Sequence, residues 1–194
     1  MKSYIILFLV FLRITSSINA QTILYDITSK NKQLGQVNVT KTEDNGIVKI
    51  DVNSEMTVSL FMKIDLKYTL TANYKDNRLI SSSVTTFVNG HLHSSCVIEK
   101  KDEYYSITKD EHLSEYSGEI IYSGALLYWN EPKDVSTVYS EIDNIKKPIK
   151  NVGFNEYNLT DPKSGHISDY YYSKGLLDKA VIRHTLMNFE LTRR

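Results

Sequence analysis

From Thr22 onward the dominant period of the hydrophobic positions is two. Leu66, Tyr68, Leu70, Ala72 and Tyr74 alternate with Lys67, Thr69, Thr71, Asn73 and Lys75. One face of that segment is apolar and the other polar, which predicts a half-buried antiparallel strand. Weaker versions recur at Ile23-Tyr25-Ile27, Val48-Ile50-Val52, Val84-Thr86-Val88, Tyr170-Tyr172, and from Val181 to Met187-Phe189-Leu191. Short turn signals separate these runs: Asp44-Asn45-Gly46, Lys75-Asp76-Asn77, Asn89-Gly90, Pro162-Lys163-Ser164-Gly165 and Ser173-Lys174-Gly175. Asn-Gly favours the type I′ turn because both central residues accept positive φ, and that turn matches the twist of a hairpin. The pattern predicts an all-β chain with minor α content, built as a long antiparallel meander. Glu111 to Pro132 breaks the alternation: Ile120, Ile121, Leu126, Leu127 and Trp129 fit neither a strand nor a helical stripe. One short helix or crossover is expected near residues 115–130.

A meander of roughly ten strands tends to curl or close, since an exposed sheet edge invites aggregation. The expected architecture is therefore a barrel or half-barrel, two forms that share the same alternation. Small barrels of this kind are filled with side chains or hold one apolar ligand. No repeat at a fixed period suggests a propeller or solenoid. Nor does a linker rich in Gly, Pro or Ser divide the chain, so residues 21–194 read as a single secreted β-rich domain.

The N-terminus has a different pattern. Lys2 supplies a positive charge, Tyr4 to Leu12 an unbroken apolar run, and Ile18-Asn19-Ala20 a cleavage signal before Gln21. Such a run is too short for a helix across a bilayer, which needs about twenty apolar residues. Residues 1–20 therefore read as a signal peptide. No later window approaches spanning length. The expectation is an exported protein, periplasmic or extracellular, soluble after signal removal and without a transmembrane segment in the mature chain.

Composition narrows the function classes. The 194 residues are 41% hydrophobic, 24% charged and 11% aromatic, with 8 Gly and 3 Pro, a globular profile. Of the 23 basic residues, Lys2 and Arg13 lie in the first twenty, leaving 21 against 23 acids. Like charges run no further than pairs such as Lys100-Lys101 and Lys146-Lys147, so no basic stripe points to nucleic acid. Cys96 is the single cysteine, which rules out an intramolecular disulfide. Stability has to come from an ordinary core, and a chain of this size buries about 70% of its unfolded surface.

Candidate chemistry is sparse. His91 and His93 share one strand face, a geometry used by metal sites, but two ligands do not make a site. On a regular strand Cys96 faces the same way as Leu92 and Ile98, so a His/Cys site needs a bulge. Cys96 reads more simply as a small buried hydrophobe, and the histidines as surface residues near a turn. Glu131 and Glu141 are a candidate carboxylate pair of the kind a glycosidase holds about 5 to 9 Å apart. With 23 acids some such pair is inevitable. Nucleophile-elbow, zinc-helix and phosphate-loop signatures are absent. No cofactor is implied, and an enzyme is the less favoured reading. Tyrosine is over-represented at 14, with Tyr104-Tyr105 and Tyr170-Tyr171-Tyr172 consecutive. Consecutive tyrosines on a strand put rings on both faces, which suits either a ligand surface or plain sheet packing. Asn38-Val-Thr40 and Asn158-Leu-Thr160 are sequons that matter only where secreted proteins are glycosylated.

Leu126-Leu127-Tyr128-Trp129-Asn130-Glu131-Pro132, followed by Val138-Tyr139-Ser140-Glu141, resembles the signature of a family of small secreted bacterial proteins defined as a domain of unknown function. Tyr25-Asp26-Ile27, Leu34-Gly35-Gln36-Val37, Tyr157-Asn158-Leu159 with Asp161-Pro162, and Tyr170-Tyr171-Tyr172 with Gly175-Leu176 extend the resemblance over most of the mature chain. It implies an export signal followed by an antiparallel roll similar to the half-barrels of periplasmic envelope proteins. It implies no activity and no cofactor. Trp129 and Asn130 depart from the pattern, in which Phe and a variable residue are expected there.

The candidate functional lip comprises Tyr128, Trp129, Glu131, Tyr139, Glu141, Tyr157, Tyr170 and Tyr172. The competing reading has Leu126, Leu127 and Trp129 plugging one end of the roll while Glu131 caps backbone amides. Three functions follow. The first is a non-enzymatic binding or carrier module for an apolar or amphipathic small molecule, with a cavity of a few hundred cubic ångströms. The second is a structural or protein-interaction envelope component. The third is a hydrolase using Glu131 and Glu141, which requires the two groups to converge in a cleft.

Overall fold

The computed structural model describes residues 19–59, 62–185 and 187–194. The apolar run of the expected signal peptide lies outside the described residues. Its expected cleavage point lies within them: Asn19 and Ala20 open the first strand, paired with Glu43 and Thr42.

The described residues form fourteen strands, an antiparallel series as expected but longer than the roughly ten strands anticipated. They are Asn19–Ser29 (β1), Lys32–Asp44 (β2), Ile47–Ser59 (β3), Lys63–Lys75 (β4), Arg78–Val88 (β5), His91–Lys100 (β6), Tyr105–Lys109 (β7) and His112–Tyr116 (β8). After a crossing segment come Thr137–Ser140 (β9), Ile145–Gly153 (β10), Glu156–Thr160 (β11), Ile167–Ser173 (β12), Leu176–Ile182 (β13) and Phe189–Arg193 (β14). All belong to one antiparallel sheet with the order β8-β7-β6-β5-β4-β3-β2-β1-β14-β13-β12-β11-β10-β9. Two meanders are thus joined where β1 meets β14, with Tyr25 opposite Arg193 and Ile27 opposite Leu191.

Turn chemistry sets this topology. Asn45-Gly46, Asp76-Asn77, Asn89-Gly90 and Lys174-Gly175 take positive φ at both positions, as type I′ hairpins require. Lys30-Asn31 and Asp110-Glu111 do the same without a glycine. The second of these starts β8 inside the stretch expected to break the pattern. His112 to Glu115 are exposed, so this edge strand carries no alternation to read.

The sheet rolls up without closing. Its edges, β8 and β9, share no backbone ladder and touch through side chains. The Tyr116 and Tyr139 rings lie 5.6 Å apart, and Lys109 Nζ donates to the Ile142 carbonyl at 2.5 Å. Residues 117–136 leave the edge and cross one end of the roll. Leu79 N donates to Ile120 O on one wall at 2.9 Å, and Glu131 N donates to Gly175 O on the other at 3.0 Å. Between them a one-turn 3-10 helix, Gly124–Tyr128, lies across the interior.

Burial along the inward face records the asymmetry. Ile50, Val52, Leu70, Ala72 and Tyr74, beside the crossing segment, are fully buried. Met56, Ile64, Leu66 and Tyr68, on the same face of the same two strands, are only half-buried. Among the described residues, one end of the roll is filled by chain and the other is not.

Candidate functional site

The crossing segment is a plug, fixed by tyrosines. Tyr25 on β1 donates its hydroxyl to Leu177 O at 3.1 Å and packs its ring 5.6 Å from that of Tyr128. Tyr172 on β12 donates to Leu127 O at 2.9 Å, and Tyr105 on β7 donates to Leu79 O at 2.8 Å, beside Ile120. Ile120, Ala125, Leu127 and Trp129 are buried between these walls. Burial of each larger side chain contributes about 1.5–3 kcal/mol. Each of the three tyrosine hydroxyls is itself satisfied by a backbone carbonyl.

Glu141 secures the start of the plug. It follows the last residue of β9, is only 2% exposed, and accepts three hydrogen bonds. Gly124 N donates to Oε2 at 2.9 Å, while Ala125 N at 3.1 Å and Ser123 Oγ at 2.5 Å donate to Oε1. Since the serine proton is spent on Glu141, the Tyr74 hydroxyl donates to Ser123 Oγ, also at 2.5 Å. Burial pushes the Glu141 carboxyl above the usual carboxylate range, and the three donors pull against that rise. The residue that caps the plug's amides is thus Glu141, where Glu131 was expected.

Beyond the plug lies a cavity of about 690 Å³. Its wall is aliphatic and aromatic, with contributions from Ile27, Val37, Met56, Val58, Ile64, Leu66, Leu70, Val88, Leu159, Ile182, Phe189 and Leu191. Gly124, Leu127 and Tyr128 of the plug form its floor, with Glu141 beside them. His93 and His184 also line it and are exposed, so the cavity reaches solvent at the unplugged end.

The tyrosines that face the interior fall into two groups. Tyr25, Tyr74, Tyr105, Tyr139, Tyr157 and Tyr172 all donate their hydroxyls to protein acceptors. Tyr68, Tyr128 and Tyr170 line the cavity, and their hydroxyls have no protein partner among the described residues. Ser82 Oγ and Trp129 Nε1 are the only fully enclosed side-chain polar atoms lacking a partner there, so these three hydroxyls stand open to the cavity. Burial raises all three well above the ordinary tyrosine range, Tyr128 to about 12, and they stay protonated.

The eight lip residues do not form one surface. Tyr128, Glu141 and Tyr170 meet at the cavity. Trp129, Tyr157 and Tyr172 belong to the plugged end, where Lys41 Nζ lies 5.9 Å from the Trp129 ring centroid. Glu131 is held there too, accepting from Tyr157 at 2.9 Å and pairing with Lys133 at 3.3 Å. Tyr139 packs at the sheet edge and donates to Asn144 Oδ1. Glu131 and Glu141 have separate partners and only Glu141 lines the cavity, so no carboxylate pair converges. Tyr68 was not singled out by the sequence; its one signal is a polar-tipped ring on an otherwise aliphatic inward face.

The bulge that the His/Cys arrangement requires does exist. Thr86 pairs with Ser94 but Phe87 with Leu92, so His93 is the extra residue. Leu92 therefore turns outward opposite Phe87, 59% exposed, and does not share the face of buried Cys96 as expected. Burial pushes the Cys96 thiol up to about 11, which leaves it a packing residue. Among the described residues no three His, Cys, Asp or Glu side chains converge on a metal position. No helix among them is long and apolar enough to cross a membrane.

The roll is similar to the crystal structure of a β-barrel-like protein of domain of unknown function DUF1849 from Brucella abortus. The TM-score is 0.61 at 8% sequence identity, covering 91% of this chain and 96% of that one, a likeness of fold. No curated protein matches the sequence. Residues 25–194 match the domain of unknown function DUF6134, from the Tyr25 that anchors the plug to the last residue of the chain. A match over residues 25–194, most of the chain, establishes that this chain belongs to the DUF6134 family.

Proposed function

We propose that this protein is an exported, non-enzymatic binding or carrier protein that holds one apolar or amphipathic molecule inside its roll. The observation that carries the reading is the apolar cavity of about 690 Å³ beside a fully packed half. Protein interiors normally pack to crystal-like density. A space of this size, apolar and open at one end, has the dimensions and lining of a small-molecule site. The plug favours a carrier over a channel, because it closes the far end. Export is proposed from Lys2, the Tyr4 to Leu12 run and Ala20, which place the protein in the periplasm or outside the cell.

The test is native mass spectrometry with organic extraction of residues 21–194, purified from an exporting host without detergent. A reproducible bound small molecule supports the reading and identifies the ligand class. A clean apo mass that persists after incubation with envelope lipid extract overturns it and moves the weight to a structural or protein-interaction role.

A further inference from the structure

We infer that the cavity selects a neutral amphiphile, whose oxygen-bearing head (an ester, amide, ketone or alcohol) accepts hydrogen bonds from the hydroxyls of Tyr68, Tyr128 and Tyr170. The inference rests on the carrier reading and names the chemistry of its ligand.

Buried hydroxyls rarely go without a partner, because desolvation without a compensating bond costs about 1–3 kcal/mol. In the plugged half the tyrosine hydroxyls follow that rule, with Tyr25, Tyr105 and Tyr172 each meeting a backbone carbonyl. The cavity-lining tyrosines differ: their hydroxyls have no protein partner among the described residues and stand open to the cavity, Tyr170 at 8% exposure. Three converging elements supply them: β4, the plug and β12. All three border the same cavity. Phenylalanine would fill the same wall. The hydroxyls add nothing to packing and offer three donors to whatever enters.

Charge settles the kind of head. Glu141 lines the same cavity and raises both Tyr68 and Tyr128. Lys147 also lines the cavity, but Asp143 at 2.6 Å and Asp161 at 2.8 Å already hold it. Lys67 lines the cavity too and pairs with Glu55 at 3.1 Å, so among the described residues an anionic head would face a carboxylate with no uncommitted lysine or arginine beside it. An ammonium would lose its hydration, and Glu141, turned to three donors of its own, is a poor counter-ion. A neutral acceptor meets neither cost.

The test uses three probes of equal chain length at slightly alkaline pH: 1-monodecanoylglycerol, decanoate and decyltrimethylammonium. Each is titrated calorimetrically into the wild type and into Y68F, Y128F and Y170F. The neutral glycerol ester should bind tightest, and each Phe variant should weaken it about two- to tenfold, one neutral hydrogen bond's share. Thermal unfolding of the variants should match the wild type, since no protein contact is removed. Decanoate or the ammonium binding as tightly as the ester overturns the inference and leaves the carrier reading standing. So does ester affinity that no Phe variant changes. Failure of all three probes to bind overturns both.

Discussion

Gly124 N and Glu141 Oε2 lie 2.9 Å apart, and that contact fixes the first residue of the plug's 3-10 helix to the residue that follows edge strand β9. The approach leaves no room for a side chain on Gly124: a Cβ built there would sit 2.8 Å from Glu141 Oε2. Gly124→Ala should displace the carboxylate and cost about 1–3 kcal/mol in urea unfolding. Glu141→Ala should cost at least as much, because it strands two amides and the Ser123 hydroxyl. The double variant should be clearly less destabilised than the sum, since both changes break one contact. Additive losses would mean that the two residues do not act through each other.

Gly35 has a steric role of a different kind. It pairs with Met56 across β2 and β3, where an added Cβ would lie 2.0 Å from Glu55 O and 2.7 Å from Met56 Cα. Those are backbone atoms and cannot step aside. Gly35→Ala should destabilise by more than about 3 kcal/mol, while Gln36→Ala, next to it and exposed, should stay within about 0.5 kcal/mol. Chemical denaturation of both variants checks this, and a mild Gly35→Ala would mean that β2 and β3 separate more easily than their register implies.

The strands were legible because their inward face must be apolar wherever it meets either plug or cavity; that requirement writes the same alternation in Ile50 and in Leu66. For the same reason the sequence is silent on which half is filled. Filling depends on residues 117–136, whose path is set by distant hydrogen bonds such as Leu79 to Ile120 and Glu131 to Gly175. The tyrosines were visible as an excess, but their division into plug anchors and cavity hydroxyls is a matter of depth along a strand. Tyr170 and Tyr172 differ by one alternation step, yet one is open to the cavity and the other bonded to Leu127. Glu131 and Glu141 look interchangeable in the chain. Only the sheet order brings Glu141 onto the amides of Gly124 and Ala125.

Two acidic sites give stability opposite pH dependences. Burial alone would raise Asp161, but Lys147 and the amides of Ser164 and Lys163 hold its carboxyl well below the usual range. Its contribution is present above the unfolded carboxylate value of about 3.9 and is lost as pH falls through the lowered folded value. Glu141 is raised by burial, so its contribution is complete below the unfolded value of about 4.3 and is lost as pH rises through the raised folded value. Lys147→Met should flatten the acid limb of the stability profile, and Glu141→Gln the decline above it. Urea midpoints across the acid to neutral range read both limbs. Persistence of the wild-type acid limb in Lys147→Met would remove Asp161 from the account.

The unfilled half of the roll makes a prediction that a packed core does not. Ile50 and Leu66 sit on neighbouring strands with side chains on the same inward face, but Ile50 is fully buried beside the plug and Leu66 borders the cavity. Enlarging a residue in a filled interior costs about 1–3 kcal/mol through displaced neighbours. Ile50→Phe should therefore lower the unfolding free energy by that amount. Leu66→Phe should leave it within about 0.5 kcal/mol, because the ring enters open space, and should reduce uptake of 1-monodecanoylglycerol by occupying its volume. Equal destabilisation by the two variants would show that the sheet closes onto itself in solution, and the carrier reading would then have no cavity to act through.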